Sequence, residues 1–402
     1  MKICGIIAEY NPFHNGHMYL INRLREEGYS HIVAVMSGSF VQRGEPAVMS
    51  KWARTQCALG CGVDLVIELP LTWAMSAAEN FALGGVSLLS SLGCVGTVAF
   101  GCENDDITEL ERAARIKRSD NFKSAFYDEI RSGKSYAAAI SGALAAAGED
   151  INPDIFRLPN CILAQEYISA LHRLSSKIEP AAIKRHISSH DETHPIPPED
   201  TDIVSAAYIR ELIRAGKDFE KYVPSYAFDT IKREISAKAA PADISRLERA
   251  VLAFMRQCAP ADFASLPDVS EGLEHRICGA AKASSGYNEL IDKIKTKRYT
   301  HARLRRIVLT AFLRADTSLF NCEPPYIRVL GMNERGTEIL RLARGSAKVP
   351  IIMKAANTAR LGEEARRLFD AESRADDIFA LSLPDIGKSG TNMTHGVVLQ
   401  DC

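Results

Sequence analysis

His14-Asn15-Gly16-His17 sets two imidazoles around a glycine, shortly after the apolar run Ile3-Cys4-Gly5-Ile6-Ile7-Ala8. Imidazole N–H groups can donate to phosphate oxygens, and a glycine lets a phosphate approach the backbone. The run before the histidines reads as a buried parallel strand. The stretch after them, Met18-Tyr19-Leu20-Ile21-Asn22-Arg23-Leu24, has helical spacing. The pair therefore falls at a strand-to-helix turn, where the first helical N–H groups are unpaired and the helix dipole favours an anion. The predicted chemistry is nucleotide-phosphate binding. Pro12, in Asn11-Pro12-Phe13, stiffens the approach to the turn. Two incidental surface histidines would not need this setting. No Gly-x-x-x-x-Gly-Lys-Ser/Thr occurs, which excludes a P-loop. Gly60-Cys61-Gly62 follows a helical stretch, not a strand, so a dinucleotide fingerprint is poorly supported.

The elements around this turn alternate strand and helix, as a doubly wound sheet requires. Strand patterns fall at residues 31–36, 64–68 and 97–101, with a further one at 181–187. Helical patterns fall near 50, 76–92, 107–147, 159–174 and 203–215. Prolines 195, 197 and 198 make residues 190–202 a loop. After residue 217 long helical stretches dominate, followed by a smaller mixed segment at 326–354. The tail from Leu383 is Gly-rich and polar, which argues against firm order. Two regions are expected, 1–217 and 218–402.

The 402 residues are ordinary globular material, 46% hydrophobic and 25% charged. A net charge of −1 excludes a uniformly basic coat for nucleic acid but allows a local basic patch. The ten cysteines are scattered and form no Cys-x-x-Cys. With no signal peptide and no apolar run of membrane-spanning length, they fit a reducing cytoplasm. No membrane association and no protein partner are indicated.

Residues 290–306 hold Lys293, Lys295, Lys297, Arg298, Arg303, Arg305 and Arg306 against one acid, Asp292. In a helix from Ala302, Leu304, Ile307, Val308, Ala311 and Phe312 line one face, and Arg303 and Arg306 point away from it. Such a surface can track phosphates, with Tyr299 stacking on a base. A solvated helix face is the plainer alternative. Arg43, in the loop after the second strand, and Lys51 and Arg54, on the next helix, would extend a basic rim. Asp64 and Glu68 read as edge or capping groups. Cys57 and Cys61 share a helix face without a second ligand pair. His186, His190 and His194 are evenly spaced but precede the prolines. No metal site is expected from either pattern.

Several segments together are more specific. Glu9-Tyr-Asn-Pro-Phe-His-Asn-Gly-His17 resembles the His-x-Gly-His signature of the nucleotidylyltransferase superfamily. Ser37-Gly-Ser-Phe-Val-Gln-Arg-Gly-Glu-Pro46, Asp64-Leu-Val-Ile-Glu-Leu-Pro70, Ala78-Glu-Asn-Phe81, Phe100-Gly-Cys-Glu103, Leu158-Pro-Asn160 and Thr296-Lys-Arg-Tyr299 follow in order. The set resembles the bacterial tRNA(Met) cytidine acetate ligase family, from residue 1 to at least residue 352.

The resemblance implies an α/β fold, a doubly wound parallel sheet of the nucleotidylyltransferase type with a mostly helical C-terminal region. Residues 1–217 would form the ATP-binding catalytic domain and 218–402 the tRNA-binding region. Acetate would attack the α-phosphate of ATP, carried with Mg2+, and release pyrophosphate. The exocyclic N4 of the wobble cytidine in elongator tRNA(Met) would then take the acetyl group, giving N4-acetylcytidine. His14 and His17 would be the catalytic donors. The ATP segment would comprise Ile7, Ala8, Glu9, Tyr10, Asn11, Pro12, Phe13, His14, Asn15, Gly16, His17, Met18, Tyr19 and Leu20, joined by Gly101, Asn160 and Arg185. Read without the family, Gly101 only makes a turn, Asn160 caps a helix and Arg185 is a surface charge. Lys295, Lys297, Arg298, Arg303 and Arg306 would meet the RNA.

One departure concerns the superfamily's second motif, Ile-Ser-Ser-Thr-x-Ile-Arg. Here the stretch reads Ile203-Val-Ser-Ala-Ala-Tyr-Ile-Arg210. Ser205 and Arg210 remain as phosphate-side candidates, while Ala206 and Ala207 lack hydroxyls. Two rivals remain. A small-molecule nucleotidylyltransferase of cofactor synthesis would have no use for the basic C-terminal region. A non-catalytic nucleotide- or RNA-binding protein would not need the histidine pair.

Overall fold

The strands of the computed structural model are β1 (Ile3–Ala8), β2 (His31–Ser37), β3 (Phe40–Val41), β4 (Glu45–Pro46), β5 (Leu65–Leu69), β6 (Thr97–Cys102), β7 (Glu179–Lys184), β8 (Ile327–Met332), β9 (Ile351–Ile352) and β10 (Val398–Leu399). The structure describes residues 1–134, 136–185, 201–270, 272–296 and 298–400. His186, His190, His194, the loop prolines and Lys297 lie outside the described residues.

The main sheet runs β10-β8-β5-β2-β1-β6-β7, with β9 beside β8. Every pairing in it is parallel except β5 with β8. The fold is therefore a mostly parallel mixed sheet with helices on both faces. The chain builds β1, β2 and β5 toward one side, then returns to place β6 and β7 on the other. The order reverses between β1 and β6, and ligands of such sheets bind outside the carboxyl ends of the strands at that point.

The apolar run of β1 is buried on both faces. Ile3 and Ile7 join a core with the helices Ala78–Leu92, Ile107–Arg118 and Pro159–Arg173. Cys4 and Ile6 join the opposite core with Asn15–Glu26, Lys51–Gly60, Ala206–Arg214 and Ser225–Ser236. A third core gathers Leu247, Val251, Leu304, Ile307 and Val308 around Phe40, Leu71 and Met75. It docks the helices of residues 248–313 on the β3–β4 hairpin. At Gly44 (φ 73°) an added Cβ would lie 2.7 Å from the Arg306 backbone nitrogen, so the hairpin tip meets the helix His301–Phe312 through glycine.

The sheet crosses the expected 217/218 boundary, since β8 pairs with β5. The tail is also firmer than its composition suggests. β10 pairs with β8, His395 stacks on Trp52 at 4.1 Å, and the buried Asn392 accepts from Lys51 Nζ at 2.9 Å. Specific long-range partners, which composition does not record, order it.

Candidate active site

β1 ends at Ala8, and Tyr10 takes a left-handed backbone (φ 46°). Asn11 Oδ1 accepts the Val48 N–H at 2.7 Å, tying the turn to the next loop. His14 is the N-cap of the helix Asn15–Glu26. Its Nδ1 accepts the Gly16 N–H at 3.0 Å, and His17 Nδ1 accepts the His14 N–H at 3.2 Å. The two imidazoles thus form a reciprocal capping box.

This fixes the protons. A neutral imidazole whose Nδ1 accepts must carry its hydrogen on Nε2. Burial, then the cations Arg185 and Arg210, pushes His14 down to about 3. Burial, then His14 and Arg185, holds His17 well below its ordinary value. Both rings are neutral Nε2–H donors at physiological pH, with centroids 3.8 Å apart. Gly16 is required sterically, because a Cβ there would lie 2.9 Å from His14 Cε1.

His14, Gly16 and His17 line a cavity of about 170 Å³ at the β1/β6 switch point. Ala8, Phe100, Gly101, Asn160, Tyr167, Lys184 and Arg185 line it as well. A polar relay holds the far wall. Glu103 Oε1 accepts from Asn160 Nδ2 at 2.6 Å, and Asn160 Oδ1 accepts from Arg185 Nη1 at 3.1 Å. Neutral donors, a helix N-terminus and fixed cations converge on one volume beside an apolar wall of Ile7, Leu163 and Ile183. That combination suits a polyanion carrying a flat ring.

The family model described as HIGH Nucleotidyl Transferase matches residues 1–393. A tRNA(Met) cytidine acetate ligase of Thermoanaerobacter sp. (strain X514) is 36% identical over 99% of this chain and 100% of its own length. Another, from Acetivibrio thermocellus, is 35% identical over 99% and 100%. The chain belongs to the tRNA(Met) cytidine acetate ligase family. A crystal structure of Thermotoga maritima TmcAL bound with alpha-thio ATP superposes with a TM-score of 0.90 at 30% identity, covering all of both chains.

Within this family fold, the other sequence candidates separate by position. Ile7, Tyr19 and Leu20 also line the cavity, whereas Tyr10 and Phe13 are buried beneath the turn and pack on His17 at 4.9 and 5.4 Å. Asn15 turns outward, donating to the carbonyls of Asp202 and Lys221. Met18 packs against the core on the helix side of the sheet. Glu9 Oε1 accepts the Gln42 N–H at 2.9 Å, and burial raises its carboxyl. Gly101 faces the Arg185 stem, which an added Cβ would approach to 3.3 Å. Asn160 lies in the first turn of Pro159–Arg173 and does not cap it; both ends of its carboxamide are engaged by Glu103 and Arg185 instead.

Ser205 caps Ala206–Arg214, accepting the Tyr208 N–H at 3.2 Å, and lies away from the cavity lining. Arg210 was expected on a phosphate. It donates instead to the Asn11 carbonyl at 2.8 Å and pairs with Glu45 at 3.0 Å, so it braces the turn from behind. Its burial leaves its charge reaching His14 through space.

The expected basic rim is also revised. Arg54 is fully buried and donates to the carbonyls of Glu9, Ser37, Gly38 and Met49, binding the ends of β1 and β2 together. Lys51 is buried against Glu68 at 2.6 Å and Asp376 at 2.8 Å. Burial disfavours its charge, but Asp376, Glu68 and Glu372 outweigh that and raise its pKa. Asp64 accepts the Ile32 N–H and pairs with Arg25, inside the fold. Cys57 and Cys61 lie in the core.

Of the RNA candidates, Arg306 is mostly internal, donating to the Gln42 carbonyl at 3.1 Å with a side chain 12% exposed. Arg303 donates to the Asp268 carbonyl and covers the Tyr299 ring at 4.7 Å. Tyr299 itself is buried, which removes it as a stacking platform. Arg306 is used because the helix His301–Phe312 sits under the hairpin, and Arg303 because the same helix meets the chain at Asp268. Arg298 is exposed, and Lys295 is half-buried with its Nζ donating to the Thr296 carbonyl at 2.6 Å. Glu103 had no role of its own in the sequence reading. Glu103 stands within the Phe100–Glu103 motif, which was its one visible signal.

Proposed function

We infer that the chain is an ATP-dependent tRNA acetate ligase. The observation that carries this is the pair of neutral Nε2–H donors, His14 and His17, in one cavity with Asn160 and Arg185. The triphosphate lies against the helix N-terminus and the two imidazoles, with Mg2+ travelling on the nucleotide. Arg185, held by Asn160, balances phosphate charge. An acetate oxygen attacks the α-phosphorus, and the bond to the bridging oxygen of the β-phosphate breaks. Negative charge then grows on departing pyrophosphate, where fixed donors lower the barrier. In the second step N4 of the wobble cytidine of tRNA(Met) attacks the acetyl carbonyl. AMP leaves, the amine loses its proton, and N4-acetylcytidine results.

The tRNA lies along the helical region between residues 248 and 313. Lys295 and Arg298 make phosphate contacts with Lys297 between them in sequence, while Arg303 and Arg306 shape the surface. Among the described residues no helix is long and apolar enough to cross a membrane. A cytoplasmic site of action suits a tRNA substrate and the free cysteines.

The test is incubation with ATP, labelled acetate and unmodified tRNA(Met), followed by mass spectrometry of the nucleosides. Labelled N4-acetylcytidine is expected. Nucleotide transfer to a small phosphate ester without it would make the protein a cofactor-synthesis nucleotidylyltransferase. ATP binding with no turnover would make it a binding protein.

A further inference from the structure

We propose that Cys102, Glu103 and Cys161 form a site for a thiophilic divalent cation of the Zn2+ type, behind the Asn160 wall of the nucleotide cavity. The Cys102 and Cys161 Sγ atoms are 3.3 Å apart, and Glu103 Oε2 lies 3.5 Å from Cys161 Sγ. All the ligand atoms fall within 4.8 Å of one another. Tetrahedral Zn2+, about 2.3 Å from sulfur and about 2.0 Å from oxygen, needs a sulfur–sulfur edge of about 3.8 Å and a sulfur–oxygen edge of about 3.5 Å. The second edge is already in place. The first requires the sulfurs to part by roughly half an ångström, a side-chain adjustment. Water takes the fourth position, reached past the half-buried Glu103.

The carboxylate is already oriented. Its Oε1 holds Asn160 at 2.6 Å, and its Oε2 accepts the Cys161 N–H at 3.1 Å. Such an outer contact is what aims a ligand at a metal. Two sulfurs and one oxygen select zinc over magnesium or calcium, which prefer all-oxygen sites. On binding, each thiol releases its proton to solvent. Two thiolates and a carboxylate then face a doubly charged cation, so the net charge of the cluster is the same as before, −1. Arg185 therefore feels an unchanged net charge, and Oε1 stays with Asn160. The ion would staple the end of β6 to the first turn of Pro159–Arg173, across 59 residues of chain.

Full-length protein is stripped with a chelator, kept reduced, and titrated with Zn2+ against a chromogenic competitor and with Co2+ by absorption. The expected result is one Zn2+ per chain, a higher melting temperature with Zn2+, and a thiolate-to-cobalt charge-transfer band. Cys102→Ser and Cys161→Ser should each lose all of these, while Cys57→Ser and the exposed-thiol variant Cys322→Ser keep them. Absence of stoichiometric uptake overturns the proposal. So does uptake that survives Cys102→Ser, or a Cys102–Cys161 disulfide formed by peroxide in a protein that takes up no metal when reduced. If the serine variants fail to fold, the wild-type Co2+ spectrum decides, since absence of the thiolate band overturns the site.

Discussion

Asn160 holds Arg185 by a single hydrogen bond, from Nη1 to the carboxamide oxygen at 3.1 Å, while Glu103 holds the other end of the same carboxamide. The cation on the cavity wall is therefore aimed by a neighbour that carries no charge. Asn160→Ala should weaken ATP binding roughly tenfold, the scale of one hydrogen bond to a charged group. Titration with a fluorescent ATP analogue measures this, and tRNA affinity should not change.

His14→Asn should separate capping from chemistry. Asparagine also caps helices, so the fold should persist with a loss of under about 1 kcal/mol. The Nε2–H donor is gone, and acetyl-adenylate formation should fall by at least about 100-fold, as on removal of a charge-stabilising donor. Pyrophosphate release in the presence of acetate gives the rate, and urea unfolding gives the stability.

The same variant tests a pH dependence. His14 has its pKa near 3 in the fold and near 6.5 when unfolded. Between those values the unfolded chain binds the extra proton, so stability falls as pH drops from 6.5 toward 3. The raised carboxyl of Glu9 acts in the opposite sense, because the folded state keeps its proton to higher pH. Urea midpoints from pH 7 to pH 4 should fall less steeply in His14→Asn than in the parent, and equal slopes would contradict the assignment.

Gly16→Ala should cost activity more than stability. Alanine is favoured over glycine within a helix by about 1 kcal/mol. Losing the His14 cap costs about the same. The new Cβ, 2.9 Å from His14 Cε1, must displace the ring. Thermal melts should stay within a few degrees while ATP turnover collapses.

Arg298→Glu and Arg306→Glu should fail in different ways. The first should weaken tRNA binding, reduce the salt slope by about one unit, and leave the melting temperature alone. The second breaks the contacts of Arg306 to Gln42 and Asp268, so it should lower the melting temperature first. Filter binding at several salt concentrations beside calorimetry distinguishes them.

β1, the histidine turn and the helix after it were readable because each depends on local period and on residues within a single turn. Gly101, Asn160 and Arg185 line one cavity with His14 and His17. The charges were harder. Lys51 and Arg54 read as surface residues by type, yet their partners include Asn392, which lies 341 residues from Lys51, and the carbonyl ends of two strands. Arg306 likewise faces a loop 264 residues away. Burial of an ionised group depends on what meets it, and no local window contains that. The Gly-rich tail misleads for the same reason.

The pairing of β8 with β5, and of β10 with β8, also bears on how the protein is made. Residues 65–69 leave the ribosome early, with an apolar strand edge that remains uncovered until residues near 330 follow. Lys51 waits longer still, for Asp376 and Asn392 to surround its charge. A truncated translation product would carry the whole histidine turn on a sheet with an open, aggregation-prone border. The nucleotide pocket is thus complete once residue 203 has been made, but the sheet beneath it closes only when residues 398–399 follow.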